Sequence, residues 1–98
     1  MLLKEKQKRY LRGLTHQRKP VVIIGGAGLT ENVMLEIENA LGHHELIKVK
    51  INADDRPARR AMIDEIIDKT SSVLIQSIGH TASFYRPAEK PVITLPKN

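Results

Sequence analysis

The chain contains no cysteine and no tryptophan, and its only aromatic side chains are Tyr10, Phe84 and Tyr85. Without cysteine there is no disulfide staple, no thiol nucleophile and no Cys-based zinc site, a usage that fits a reducing, cytoplasmic setting. Three scattered aromatics are too few for a platform on which nucleobases stack. Long apolar runs are missing as well. The longest is Val21 to Ile24, against the roughly 20 residues that a bilayer-spanning helix needs. Lys and Arg interrupt the N-terminal residues with no apolar stretch behind them, so no secretory signal is expected. His16, His43, His44 and His80 show neither HxxxH nor HExxH spacing, so neither a metal site nor a cofactor is expected. Ser71, Ser72, Ser77 and Ser83 lack a nucleophile-elbow context, and the paired acids Asp54 and Asp55 fall in a turn where capping explains them. Nothing assembles into an active site, and the chain reads as a protein that is not an enzyme.

What is present is 98 residues, 41% hydrophobic and 28% charged, the balance of one small globular domain. A chain of this size buries one thin core and has little room for a large enclosed ligand. The domain is expected to span residues 1–98, with a core of about 2–90 and residues 91–98 as a tail or a short edge strand. The formal net charge is +5, and it is unevenly placed. Residues 1–19 hold seven basic side chains against one acid, Glu5, whereas the remaining 79 residues hold nine basic and ten acidic. Such asymmetry points to a polyanionic partner, or to a solvated helix whose charge aids solubility.

The fold class is α/β, with elements in the order α-β-α-β-α-β-β and a four-stranded mixed sheet. Leu3, Gln7, Tyr10, Leu11 and Leu14 share one side of a first helix, while Lys4, Lys8 and Arg12 form an adjoining cationic ridge. The apolar side is modest and lacks Trp and Phe, which favours docking on the chain's own domain over a membrane surface. Val21-Val22-Ile23-Ile24 is β-branched throughout and reads as a central strand covered on both faces. Thr30 is the expected cap of a second helix, with Val33, Ile37, Ala40 and Leu41 as its buried stripe and Gly42 as its C-cap. His43 and His44 suit that helix's negative end. In Leu46-Ile47-Lys48-Val49-Lys50-Ile51 the strict alternation turns Ile47, Val49 and Ile51 to the core and Lys48 and Lys50 to the other face. Asp54 or Asp55 caps a third helix beginning near Arg56-Pro57, and Gly79-His80 joins the last two strands in a type II′ hairpin.

The glycine cluster Gly25-Gly26-Ala27-Gly28, between a strand and a helix, is the strongest local signal. A dinucleotide fingerprint begun at Gly25 meets Ala27 and Thr30 where glycines are needed; begun at Gly26 it meets Glu31. No Gly-Lys-Ser/Thr tripeptide exists for a Walker loop. What survives is G-x-x-G, as in KH-like modules, where missing Cβ atoms let a sugar-phosphate chain approach the backbone. Free N–H groups at the following helix N-terminus add partial positive charge. The alternative is a turn glycine-rich for conformational reasons alone. Arg56, Arg59 and Arg60 crowd the first turns of the third helix, where the dipole disfavours cations; either Asp54, Asp55 and Asp64 neutralise them or phosphate does. Lys48 and Lys50 either guard an edge strand against aggregation or track a nucleic-acid backbone.

Gly25-Gly26-Ala27-Gly28-Leu29-Thr30-Glu31, His44-Glu45-Leu46-Ile47-Lys48-Val49-Lys50, Ile78-Gly79 and Tyr85-Arg86-Pro87 together resemble the CRM (chloroplast RNA splicing and ribosome maturation) domain family, over about residues 2 to 90. A single free-standing copy is similar to the prokaryotic, YhbY-type members. The resemblance implies an RNA-binding fold related to the C-terminal domain of translation initiation factor three. It also implies association with precursors of the large ribosomal subunit, that is, a role in ribosome assembly. It maps the family's loop onto Gly25, Gly26, Ala27 and Gly28, and its basic surface onto Lys48, Lys50 and the first helix. Relatives often carry a polar or basic residue in the loop, and Lys or Arg where this chain has His80. Both departures shift the expected contact from side-chain charge toward main-chain donors. The expected RNA-binding set is therefore Gly25, Gly26, Ala27, Gly28, Lys4, Lys8, Arg12, Lys48, Lys50, Arg56, Arg59 and Arg60, with no membrane or small-molecule partner. The competing expectation is a protein-interaction module whose basic helix docks on an acidic partner, RNA contact being incidental.

Overall fold

Local capping sets most of the helix boundaries. In a computed structural model, which describes residues 2–97, α1 (Glu5–Thr15) begins after Lys4. The N–H of Lys4 donates to Gln7 Oε1 at 3.0 Å, half of a capping box whose other half a lysine, having no acceptor, cannot supply. Thr30 Oγ1 accepts from Val33 N at 3.2 Å and starts α2 (Glu31–His44). Asp55 Oδ1 accepts from Ala58 N at 2.8 Å and starts α3 (Arg56–Thr70), with Pro57 in the first turn. Met1 and Asn98, the two ends of the expected domain and tail, lie outside the described residues.

The strands are β1 (Pro20–Ile24), β2 (Leu46–Ile51), β3 (Val73–Ile78) and β4 (Thr81–Tyr85). They form one mixed sheet in the order β1-β2-β4-β3, with β1 parallel to β2 and the other pairs antiparallel. The order of elements and the four-stranded sheet are as expected. Gly79 has φ 56 at the first of the two turn positions and His80 does not share the positive φ, as a type II′ hairpin requires.

Helices α2 and α3 cover one face of the sheet. Val22, Ile24, Ile47, Val49, Ile51, Ala82 and Phe84 meet Ile37, Leu41, Ile63 and Ile66 there in one buried cluster. On the opposite face α1 covers only part of the sheet, through Leu11 packed with Leu46, Ile75 and Tyr85. These residues lie at the start of β2, the first half of β3 and the end of β4. The rest of that face, carrying Lys48 and Lys50, is open.

Three expectations need correction. The β1 strand is an edge and not a central strand: Val22 and Ile24 are buried, but Val21 is 50% and Ile23 61% exposed. A β-branched run does not by itself distinguish two covered faces from one. Pro20, which lacks an N–H, and a register shift at Val21 both belong to sheet edges. Second, α2 does not stop at Gly42 but continues to His44, and Glu45 turns the chain with φ 64. Third, Tyr10 lies at the margin of the α1 stripe, 42% exposed, while Thr15 is buried. The buried side of the helix is rotated toward Thr15, whose hydroxyl donates to Leu11 O at 3.0 Å and needs no solvent.

Residues 92–95 are a tail and not a strand. Ile93 and Leu95 join the α1 cluster, and Gln7 Nε2 donates to Pro96 O at 3.3 Å. The tail is held by Glu45, which is 2% exposed. Its carboxylate accepts from Ala88 N at 2.7 Å, Ile93 N at 2.8 Å and Val92 N at 3.0 Å. Burial alone would raise this carboxyl's pKa, but the three N–H donors outweigh it and hold the pKa below the usual 4.5. The carboxylate's bonds thus help offset the backbone strain at its own α-carbon, where φ 64 with ψ −44 is a sparsely populated combination costing of order 1–3 kcal/mol.

Candidate nucleic-acid interface

Gly25–Gly28 leaves the C-terminal end of β1 and enters α2. Gly28 N donates to Gly25 O at 3.0 Å, closing a four-residue turn in which neither Gly26 nor Ala27 has positive φ, the type I pattern. Gly28 follows at φ 76, and its carbonyl accepts from Thr30 N at 3.0 Å. A Cβ at Gly28 would come within 3.8 Å of Met62 Cε; at Gly25 or Gly26 it would meet nothing within 4 Å. The fold therefore requires glycine at Gly28, for its dihedral. It does not require glycine at Gly25 or Gly26, and the room left there faces solvent, where both residues and Ala27 are exposed. Among the described residues the N–H groups of Gly26 and Ala27 have no protein acceptor, nor do those of Glu31 and Asn32 at the start of α2. The turn and helix end form a cluster of unpaired donors with no side chain in front of it.

Two other connections lie at the same end of the sheet. Asn52 N donates to Ile24 O at 3.1 Å, and Ile51 N donates to His80 O at 2.6 Å. Lys50 is exposed on the open face, between Ile23 on β1 and Thr81 on β4. One step back, Lys48 lies beside Ser83 in a hollow of about 210 Å³ lined also by Thr15, His16, Gln76, Ile78 and Thr81. Because β2 is an interior strand, the edge-guard reading of the two lysines does not apply.

Arg56, Arg59 and Arg60 line a second hollow, of about 290 Å³, against Ile63, Ser77 and Gly79. Arg60 pairs with Asp64 at 3.2 Å. Asp55 is committed to its cap, and among the described residues no carboxylate lies within 4.0 Å of Arg56 or Arg59. The neutralisation expected from Asp54, Asp55 and Asp64 thus reaches one arginine by direct pairing.

The first helix sits elsewhere. Leu11 packs beside Leu46, five residues before Ile51, a separation of roughly 17 Å along the strand. Lys4, exposed, and Lys8, half-buried, lie toward that far end, and Arg12 is paired with Glu5 at 3.0 Å. That contact lowers the Glu5 carboxyl pKa, chiefly through the hydrogen bond from Arg12. The structure therefore gathers Gly25–Gly28, Lys50, Arg56 and Arg59 at one end of the sheet, with Lys48 midway. It does not bring Lys4, Lys8 and Arg12 to the loop; only the helix's last residues, Thr15 and His16, approach Lys48. The helix's apolar side is occupied by its own sheet, so a partner would meet only its charged side.

Sequence reasoning missed His16, Thr81, Ser83 and Gln76 around Lys48. Pairing the alternation of β2 against that of β4 would have placed Thr81 and Ser83 beside the lysines. Among the described residues no group of three or more His, Asp or Glu could hold a metal ion, and no helix is long and apolar enough to cross a membrane.

Known proteins share this chain's sequence over nearly its full length. An RNA-binding protein of Haemophilus influenzae is 50% identical over 95 residues, covering 97% of this chain and 96% of that one. A probable RNA-binding protein of Pseudomonas aeruginosa is 46% identical over 91 residues, covering 93% and 88%. One of Bacillus subtilis is 32% identical over 96 residues, covering 97% and 100%. The solution structure of a hypothetical protein from Staphylococcus aureus superposes with a TM-score of 0.82 at 36% identity, covering 97% of this chain and 100% of that one. A sequence model of the CRS1 / YhbY (CRM) domain matches residues 3–86, and with four strands, three helices and the strand-to-helix glycine turn in place, the chain belongs to that family.

Proposed function

We propose that this protein binds RNA through the end of the sheet that carries Gly25–Gly28, and that it serves in assembly of the large ribosomal subunit. The relatives' description as RNA-binding proteins supports the partner class. The observation that carries the site is the exposed turn whose Gly26 and Ala27 N–H groups have no protein acceptor and whose Gly25 and Gly26 leave open space on the solvent side. A sugar-phosphate segment lies against these amides, and the positive end of α2 adds to the attraction. Lys50 and Lys48 on the open face, and Arg56 and Arg59 on the other flank, neutralise neighbouring phosphates. The protein reads shape and backbone, because Phe84 and Tyr85 are buried and Tyr10 stands alone on α1. It acts by binding, without catalysis, on pre-ribosomal RNA in the cytoplasm, and the Lys4 and Lys8 ridge contributes a more distant phosphate contact.

Replacing Gly26 with valine tests the site, since a Cβ at this exposed position meets no protein atom within 4 Å. Binding of a structured fragment of large-subunit precursor RNA should weaken at least tenfold while the melting temperature stays within a few degrees. Unchanged affinity would remove the turn from the interface.

A further inference from the structure

The open part of the sheet carries a hollow that the fold itself does not use. Ala82 and Phe84 of β4 point into the core beneath α2 and α3, so Thr81 and Ser83, which alternate with them, point to the open face. Ser83 lies opposite Lys48 on one side and Gln76 on the other. With Thr81, Ile78 and the end of α1 at His16, this row lines the hollow of about 210 Å³. Ser83 is its floor. The residue is 2% exposed, yet its hydroxyl makes no hydrogen bond among the described residues, whereas Thr81 Oγ1 donates to Ile78 O at 3.0 Å. Among those residues no fully enclosed side-chain nitrogen or oxygen lacks a partner, so the Ser83 hydroxyl is reached from the hollow. A serine this buried and without a structural bond points to a ligand; alanine would serve packing alone.

The surroundings select the ligand's chemistry. None of the four strands contains Asp or Glu, and among the described residues neither Lys48 nor Lys50 has a carboxylate within 4.0 Å. Ile78, 56% exposed, supplies an apolar wall. A simple anion would satisfy Lys48 but leave Ile78 and the Gln76 carbonyl without partners. An aliphatic chain would strand Ser83 and Gln76. A nucleobase meets all of them, with flat apolar faces for Ile78 and the Lys48 stem and an edge that both donates and accepts. The hollow is smaller than the roughly 300–1,000 Å³ of pockets for drug-sized ligands, which suits one base and excludes a base pair. Lys48 and Lys50 stand about 7 Å apart along β2, the reach of about one extended nucleotide, and Lys50 continues toward the Gly25–Gly28 turn.

We propose that this hollow receives one unpaired nucleobase of the bound RNA. Gln76 and Ser83 meet its edge, Ile78 its face, and Lys48 and Lys50 the phosphates between it and the turn. On the RNA-binding reading above, which this site presupposes, the substrate narrows to RNA with an unpaired nucleotide beside the segment held by the turn. A continuous duplex keeps its bases stacked and cannot fill the hollow. The site adds a single base contact to an interface otherwise made of backbone contacts, and it needs no aromatic platform.

The test titrates the full-length chain, isotopically labelled, with single-stranded RNA hexamers of A, of C and of U, with an abasic hexamer of the same sugar-phosphate chain, and with inorganic phosphate. At least one base-bearing hexamer should bind about fivefold or more tighter than the abasic one, on the scale of one or two hydrogen bonds. It should also shift the Gln76 side-chain NH2 signals, which the abasic hexamer leaves in place. Gln76→Ala and Ser83→Ala should each weaken that hexamer about three- to tenfold, the loss of one hydrogen bond. Both variants should keep the native melting temperature to within a few degrees and the native affinity for the abasic hexamer. Equal binding of all four hexamers, with shifts confined to the turn, would overturn the base site and leave RNA binding at the turn standing. Native affinity in both variants would overturn it too. Equal Gln76 shifts from phosphate would also do so, since the hollow would then be an anion site. If neither the hexamers nor the precursor-RNA fragment binds, the RNA reading itself falls and the base site with it.

Discussion

Replacing Glu45 with glutamine keeps the side chain's shape and exchanges one carboxylate oxygen for an NH2 group. In the native protein both oxygens are used: Oε2 accepts from Ala88 N, and Oε1 from Val92 N and Ile93 N. A carboxamide serves one side only and sets its own donors against the N–H group on the other. Hydrogen bonds to a charged group contribute about 1.5–3 kcal/mol each, and a stranded buried donor costs about 1–3 kcal/mol. The full loss is not incurred, because residues 86–97 can lift into water. We therefore expect Glu45→Gln to cost about 2–4 kcal/mol, lowering the melting temperature by roughly 10–20 °C for a domain of this size. The pH dependence has a definite sign. The folded-state pKa of Glu45 lies below the usual 4.5, so the clamp's contribution is complete above that value and is lost as pH falls through the lower folded-state pKa. Thermal melts at pH 7 and between pH 4.5 and 3 measure both effects. The native protein should lose stability across the acid range, and Glu45→Gln, already lacking the ionised clamp, should lose less of it. Equal melting temperatures at pH 7, together with an unchanged acid response, would refute the clamp.

Two further perturbations separate fold from function. Gly28→Ala should destabilise the protein by about 1–2 kcal/mol, the cost of left-handed backbone for a residue with Cβ, whereas Gly25→Ala should be close to neutral; urea denaturation compares them, and equal losses would contradict the turn geometry. The double variant Lys48→Gln, Lys50→Gln should weaken RNA binding at low salt and reduce the magnitude of the slope of log K against log salt by about 1.5–2, from a native value near −3 for roughly four neutralised phosphates. An unchanged slope would place the lysines outside the interface.

Local chemistry determined much of what could be read in the sequence alone. The cap at Thr30, the alternation in β2 and the Gly79-His80 turn each depend on a few neighbouring residues, so spacing and residue type sufficed to place them; for α3 they left Asp54 and Asp55 open, and the fold selects Asp55. The glycine turn was legible for the same reason, though not which of its glycines the fold itself needs. That depended on φ at Gly28 and on the empty space around Gly25 and Gly26. Long-range pairing decided the rest. The run Val21 to Ile24 has the composition of a buried strand, yet β1 lies at the edge because β4 returns on the other side of β2. Gly42 has the character of a helix stop, but tail amides supplied by residues 88, 92 and 93 hold Glu45 at positive φ and place the stop there. The cationic ridge of α1 has the expected periodicity but does not lie beside the loop with which it shares the expected RNA-binding set. Periodicity says which residues share a side of a helix, whereas only the packing of Leu11 on Leu46 and Tyr85 says which end of the sheet that helix covers.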